Sequence, residues 1–420
     1  MRARTLLSIL GAIIALTAAY VVITLSHYSP TASDVPAAPD GPDVAYALTT
    51  ADEFVLLRGH SILARVERPW DPVAGAIVWT STGRRVAFLS VARPDDEPGN
   101  VELISIDTTT GQQHRVPCSG CIDLAAADGD RIVALVVNQS LKRTKTEYYR
   151  SDVIAKAARE RKVQLVQYEL GQDAPHIVGT PMASGAHGLV AGTTNYLLSF
   201  ARVETRAGKV DRHAITAHAD GRGWRLEKEG IRQGVSSIGA TKESMLVRPH
   251  DYASCSSSPS VTLLEMDGEV HDTDLSALKP PDAKPNEWSG SVSDIWWGLD
   301  GKYHATFAAW RCVSRDNDPK IWKRSEQDLV TPHSLWTLDA STYTWHREPE
   351  FPPAGAIRFI GDGEFVALVK PDCIGAITRE ESADKKYCSR GTLYRHQRDG
   401  TTVKVADDVL SVASGPALHG

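Results

Sequence analysis

The chain has 420 residues, with 46 Lys and Arg against 52 Asp and Glu, a net charge of −6 and a hydrophobic share of 42%. That charge excludes nucleic-acid binding by a basic surface. The length leaves room for two average domains or one large β domain.

The first element is apolar. Arg2 and Arg4 precede the run Leu6–Leu25, LLSILGAIIALTAAYVVITL, and no charged residue follows before Asp34. A run of about 20 residues crosses a bilayer as a helix. The leading arginines predict an N-terminus held inside and the remainder outside. Residues 1–26 therefore read as a transmembrane anchor. A cleaved signal peptide is the rival, with a shorter apolar region and a small-residue cleavage site. Residues 27–43, HYSPTASDVPAAPDGPD, read as a flexible linker. The expected localisation is the cell membrane, single-pass, with the C-terminal domain extracytoplasmic.

A repeat occupies residues 44–410, and residues 411–420 read as a tail. Four stretches join an apolar run to a second strand through a Gly turn: IVWTSTGRRVAFLSV, LAAADGDRIVALVV, IWWGLDGKYHATFAAW and IRFIGDGEFVALVK. Such turns between apolar runs mark hairpins. A second strand pair follows each. Two degenerate copies lie between Gly129 and Gly301, and a compact copy, VAYALTTADEFVLLRGHSILARVE, precedes all of them. Units of four strands recurring about every 45–60 residues predict an all-β fold, a β-propeller of four-stranded antiparallel blades. Seven blades are expected, with six as the alternative.

The stretch IVWTSTGRRVAFLSV…VELISIDTTTG resembles the TolB-like propeller repeat at Trp79, Gly83, Ala87, Phe88, Ser90, Asp107 and Gly111. Asp300-Gly301 and Asp362-Gly363 match its turn in other units. Thr82 departs from the usual Asp, and no turn carries the usual Pro. The resemblance implies the fold and not an activity.

In such a blade, the connection from second to third strand shares a face with the link to the next blade. The long excursions all fall there: Arg93–Asn100, Asn138–Lys162, Arg206–Lys209, Pro249–Ser260, Arg311–His333 and Lys370–Arg390. The second of these is basic. Lys142, Arg143, Lys145, Arg150 and Arg159 flank a short helical stripe of Val153, Ile154, Ala157 and Ala158. It reads as a solvated lid helix or as a dock for an anionic partner, envelope polymer or lipid headgroup. Trp310 and Trp322 lie at or in another excursion, where they pack or stack a ligand.

The even count of six cysteines in an exported chain favours disulfides. Blade geometry favours Cys373 with Cys388, Cys255 with Cys312, and Cys118 with Cys121. For Cys118-Ser-Gly-Cys121 a reactive dithiol needs a following helix or a nearby cation, and a strand follows instead. Zinc needs a second pair, which no spacing supplies. His213 and His218 point to opposite sides of a strand. Asp316–Asp318 and Asp95–Glu97 lack the distal Glu of calcium loops.

No catalytic, metal or cofactor residues emerge from these patterns. The expected function is a membrane-anchored binding or scaffold module working through its stapled, loop-rich face, and not an enzyme. The alternative is a propeller hydrolase or lyase with an axial-channel site, which predicts ionisable groups converging on first strands. A third reading, a redox partner, uses Cys118 and Cys121.

Overall fold

The computed structural model describes residues 36–50, 52–67, 77–91, 101–127, 129–137, 163–171, 175–183, 188–192, 197–204, 210–219, 222–229, 235–240, 244–249, 261–265, 269–284, 288–315, 318–370 and 390–416. Among these residues no helix is long and apolar enough to cross a membrane, and the run Leu6–Leu25 lies outside them.

The described strands form seven four-stranded sheets. The first holds β1 (Ala45–Thr49), β2 (Glu53–Arg58) and β3 (Ser61–Glu67). The second holds β4 (Val78–Trp79), β5 (Arg85–Val91), β6 (Val101–Asp107) and β7 (Gln113–Pro117). The third holds β8 (Cys121–Ala126), β9 (Arg131–Val137), β10 (Val163–Leu170) and β11 (Pro175–Ala183). The fourth holds β12 (Gly188–Gly192), β13 (Leu197–Glu204), β14 (Val210–Ala219) and β15 (Arg222–Glu229). The fifth holds β16 (Val235–Ala240), β17 (Ser244–Pro249), β18 (Thr262–Glu265) and β19 (Val270–Asp272). The sixth holds β20 (Trp288–Trp297), β21 (Tyr303–Arg315), β22 (Asp318–Asp339) and β23 (Thr344–Arg347). The seventh holds β24 (Ala356–Gly361), β25 (Glu364–Val369), β26 (Gly391–His396) and β27 (Thr402–Val409). β28 (Ser411–Ser414) then returns to the first sheet.

Strands pair antiparallel with their neighbours in sequence. The first strands of successive sheets meet, β4 with β8, β8 with β12, β12 with β16, β16 with β20, and β24 with β28. Sheets stacked in order about their first strands make a β-propeller.

Two glycine turns show why the repeat is visible in sequence. Gly83 and Gly301 adopt φ of +69° and +71°, a left-handed conformation that costs an L side chain energy. Gly129 and Gly363 take the same conformation in their units. Between sheets, each strand serves two cores. On β5, Val86 and Phe88 pack against the first sheet, where Phe54 stacks on Phe88 at 4.3 Å. Ala87 and Leu89 pack against the third sheet with Ile132 and Ala134. All five residues of β1 are buried for the same reason.

Three expectations are corrected. Ser411–Ser414, within the stretch read as a tail, is a strand. It pairs Ser411 with Thr49 and Ser414 with Tyr46, and so supplies the innermost strand of the compact first unit. Residues 36–43, read as linker, pack on the seventh sheet. The Ala38 amide donates to the Gly363 carbonyl at 3.0 Å and the Asp362 amide to Gly41 at 3.0 Å, while Ala38 is buried beside Trp296 and Phe359. The excursion Arg311–His333 is a hairpin that continues β21 and β22 out to the Arg315–Asp318 pair, through several register shifts. Val313, Ile321 and Trp322 are good strand formers whose charged neighbours imitate a loop.

Val412 is 5% exposed between the first and seventh sheets. Val412→Asp is expected to destabilise the chain by about 3 kcal/mol or more in urea unfolding. Val403→Asp, at a position 41% exposed, should change stability by less than about 0.5 kcal/mol.

Candidate functional site

Charged side chains meet at the inner edge of the sixth and seventh sheets. Asp294 stands on β20, just past a register shift that leaves Ser293 without a partner on β21. A bulge of this kind re-aims the next side chain. Arg358 stands on the neighbouring first strand, β24. Its Nη2 donates to Asp294 Oδ1 at 2.8 Å, its Nη1 donates to Asp294 Oδ2, and Nη1 also donates to the Ile357 carbonyl at 2.9 Å. The guanidinium lies 4.6 Å over the Trp296 ring, a cation–π contact. Both members of the pair are largely enclosed, with side-chain exposures of 9% and 18%.

Lys370 follows β25 and completes the cluster. Its Nζ donates to the Leu410 carbonyl at 3.0 Å, one residue before β28 begins. Burial lowers the proton affinity of this amine, and the Asp294 charge partly opposes that. Its stem passes two glycines: a Cβ at Gly391 would fall 3.0 Å from Lys370 Cγ and nearer still to the Val369 carbonyl, while one at Gly355 would meet Cδ at an ordinary contact distance of 3.5 Å. The cluster thus draws on the sixth sheet, the seventh sheet and the entrance to the closing strand. It lies at the end of the ring where second-to-third-strand connections emerge.

Other polar groups have structural roles. His304 Nε2 faces Asp300 Oδ1 at 2.8 Å and Nδ1 faces Thr337 Oγ1 at 3.1 Å. Burial opposes ionisation of Asp300, but the hydrogen bond and charge of His304 outweigh it and hold the carboxyl below its ordinary range. This bridge ties the Asp-Gly turn of the sixth sheet to its third strand. Arg395 and Glu364 form a buried pair on β26 and β25, away from the inner edge. Among the described residues, no group of three or more His, Cys, Asp or Glu could hold a metal ion.

Cys118 and Cys121 form a disulfide, with both residues 2% exposed. They join the apolar cluster between the second and third sheets. Tyr168 Oη is 3.2 Å from Cys118 Sγ. A bonded sulfur carries no proton, so the hydroxyl donates, and burial pushes its pKa up and keeps it protonated. The motif staples a link between sheets.

Of the other sequence candidates, Lys142, Arg143, Lys145, Arg150, Arg159, Cys255, Cys373 and Cys388 lie outside the described residues. Trp310 and Cys312 are on β21 and Trp322 is on β22, so all three belong to a paired ladder. Asp294, Arg358 and Lys370 were not picked out by motif reading. A charge inside the otherwise apolar runs SVSDIWW and AIRFIG was the available signal.

No protein-family model matches the chain, and no curated protein does. Solved structures do match. The β-propeller domain of the Trilobed protease from Pyrococcus furiosus is 12% identical, covers 89% of this chain and 96% of its own, and superposes with a TM-score of 0.46. An oligogalacturonate lyase from Vibrio parahaemolyticus is 11% identical, with 88% and 87% covered and a TM-score of 0.46. An acylaminoacyl peptidase from Pyrococcus horikoshii is 12% identical over 86% of this chain, with a TM-score of 0.46, and this chain spans 50% of its length. Against the expectation of a chain that is not an enzyme, these matches are a protease's propeller domain, a lyase and a peptidase. At such identity the likeness extends to fold alone.

Two expected outcomes follow from the site and its surroundings. Replacing both Cys118 and Cys121 by Ala should lower stability by about 2 kcal/mol, the entropy of a very short loop, as read from urea midpoints with and without reductant. Burial lowers the pKa of His396 to about 4 from an ordinary 6.5. The unfolded chain therefore takes up a proton that the folded chain refuses, and stability should fall as pH drops from about 6.5 towards 4. His396→Gln, which can still bond Thr402, should flatten that part of the urea-midpoint curve against pH.

Proposed function

We propose that this chain is the propeller of an enzyme of hydrolase or lyase type, with its site at the inner edge beside Asp294, Arg358 and Lys370. The observation that carries the reading is the convergence of these groups on neighbouring first strands and the adjoining strand end. A partly buried ammonium held at a strand end is suited to stabilise negative charge that develops on a substrate oxygen. Lys370 takes that role, and the Arg358–Asp294 pair fixes the local charge. Each sheet acts as one blade, seven in all.

The run Leu6–Leu25 tethers the propeller to a membrane, and the domain works on the outer side. The Cys118–Cys121 disulfide supports an oxidising compartment. Residues 36–44 run past the first-to-second-strand turn of the seventh sheet, at the end opposite Lys370. Lys370 therefore lies at the end of the seventh sheet opposite this strap.

The test is turnover. Full-length protein in detergent would be assayed on chromogenic esters, peptides and glycosides, and on acidic polysaccharides with elimination followed by ultraviolet absorbance. Activity in one class is expected, with Lys370→Met lowering kcat by roughly 10²–10³-fold while the circular dichroism spectrum is unchanged. Absence of turnover in every class, or full activity in Lys370→Met, would sink the proposal.

A further inference from the structure

We infer that the inner-edge site takes a small ligand bearing an oxyanion, a carboxylate or a phosphate. The inference rests on the same cluster as the proposed site but does not need catalysis.

The charge count comes first. Arg358 and Asp294 engage each other through two hydrogen bonds, so their charges cancel. Lys370 is left as one positive charge in a half-buried position. An ammonium carries three protons, and among the described residues the acceptor of Lys370 is the Leu410 carbonyl. A partly desolvated cation with protons to spare is costly until an anion supplies acceptors.

Trp296 backs the ion pair: its ring lies 4.6 Å from the Arg358 guanidinium and packs beside Ala38 and Phe359. An oxyanion has several acceptor oxygens for the ammonium, and its charge matches the one positive charge left over among the described residues. A neutral ligand leaves that charge uncompensated, and a cation is repelled by it. The hydrogen bond to the Leu410 carbonyl holds the ammonium in place, so it loses little freedom on binding.

The experiment titrates full-length protein in detergent with D-glucuronate, inorganic phosphate and D-glucose at constant ionic strength, reading calorimetric binding and thermal midpoint. At least one of the two oxyanions should bind and raise the midpoint, and D-glucose should do neither. Preference for glucuronate identifies a carboxylate ligand, and preference for phosphate a phosphorylated one. Lys370→Met should weaken binding at least about tenfold, and Lys370→Arg should retain it within a few-fold. Asp294→Asn should tighten binding several-fold, a direction that a folding defect does not produce. Failure of both oxyanions to bind, equal binding of D-glucose, or wild-type affinity in Lys370→Met would overturn the inference. Oxyanion binding without turnover on any substrate would keep this inference and remove the enzymatic one.

Discussion

The backbone ladder between β28 and β1 joins the last strand of the chain to the first sheet, and the rest of the ring depends on it. Thr49 and Ser411 pair through their backbones and through their hydroxyls at 2.7 Å. The ladder is extended at one end by the Leu410 amide on the Thr49 carbonyl at 2.7 Å and at the other by the Gly415 amide on Ala45 at 2.9 Å. A propeller without this pairing would expose two edges and the apolar faces of the first and seventh sheets. Those faces hold Tyr46, Leu48, Val366 and Leu368, all nearly inaccessible. The Leu410 carbonyl that receives Lys370 belongs to the residue whose amide extends the ladder. Leu410 thus contributes to both the closing ladder and the site.

The N-terminal strap reinforces that closure from the other end. Val44 donates to Ile360 at 3.1 Å, and the Pro42 carbonyl lies where a Cβ on Gly361 would sit, 2.3 Å away. Gly361 also has φ of +92°, so both space and conformation require glycine there. Arg398 bridges Asp362 at 3.0 Å and Asp40 at 3.6 Å, but these exposed pairs add little beside the backbone contacts. The N-terminal strap thus packs on the sixth and seventh sheets, while β28 completes the first.

Much of the architecture was legible because it rests on local chemistry. The Gly turns at 83, 129, 301 and 363 all need left-handed backbone, and that need leaves a mark in the sequence. The repeat also survives substitution. Tyr343 occupies the place in LDASTY that Gly111 occupies in IDTTTG, with φ of +54° against +74°. Asp339 still accepts the Ser341 amide there, as Asp107 accepts Thr109 and Thr110. What was not legible depends on distant pairing. No local pattern assigns SVAS to a sheet whose other strands lie more than 300 residues away. The packing of the proline-rich strap is equally nonlocal, because its partners are backbone groups of the seventh sheet.

The site was missed for a related reason. Asp294, Arg358 and Lys370 come from separate strands, and each is unremarked alone. What makes them a unit is the cost of burying charge: Arg358 and Asp294 offset each other, while Lys370 has only a carbonyl and a more distant carboxylate. A fold selected for stability alone gains little from an ammonium in this position, since a leucine or methionine would avoid the desolvation penalty. The carbonyl that Lys370 meets is on the closing strand's entrance, so the charge reports on whether the ring is shut. That coupling places the most costly side chain of the inner edge where the last strand completes the propeller.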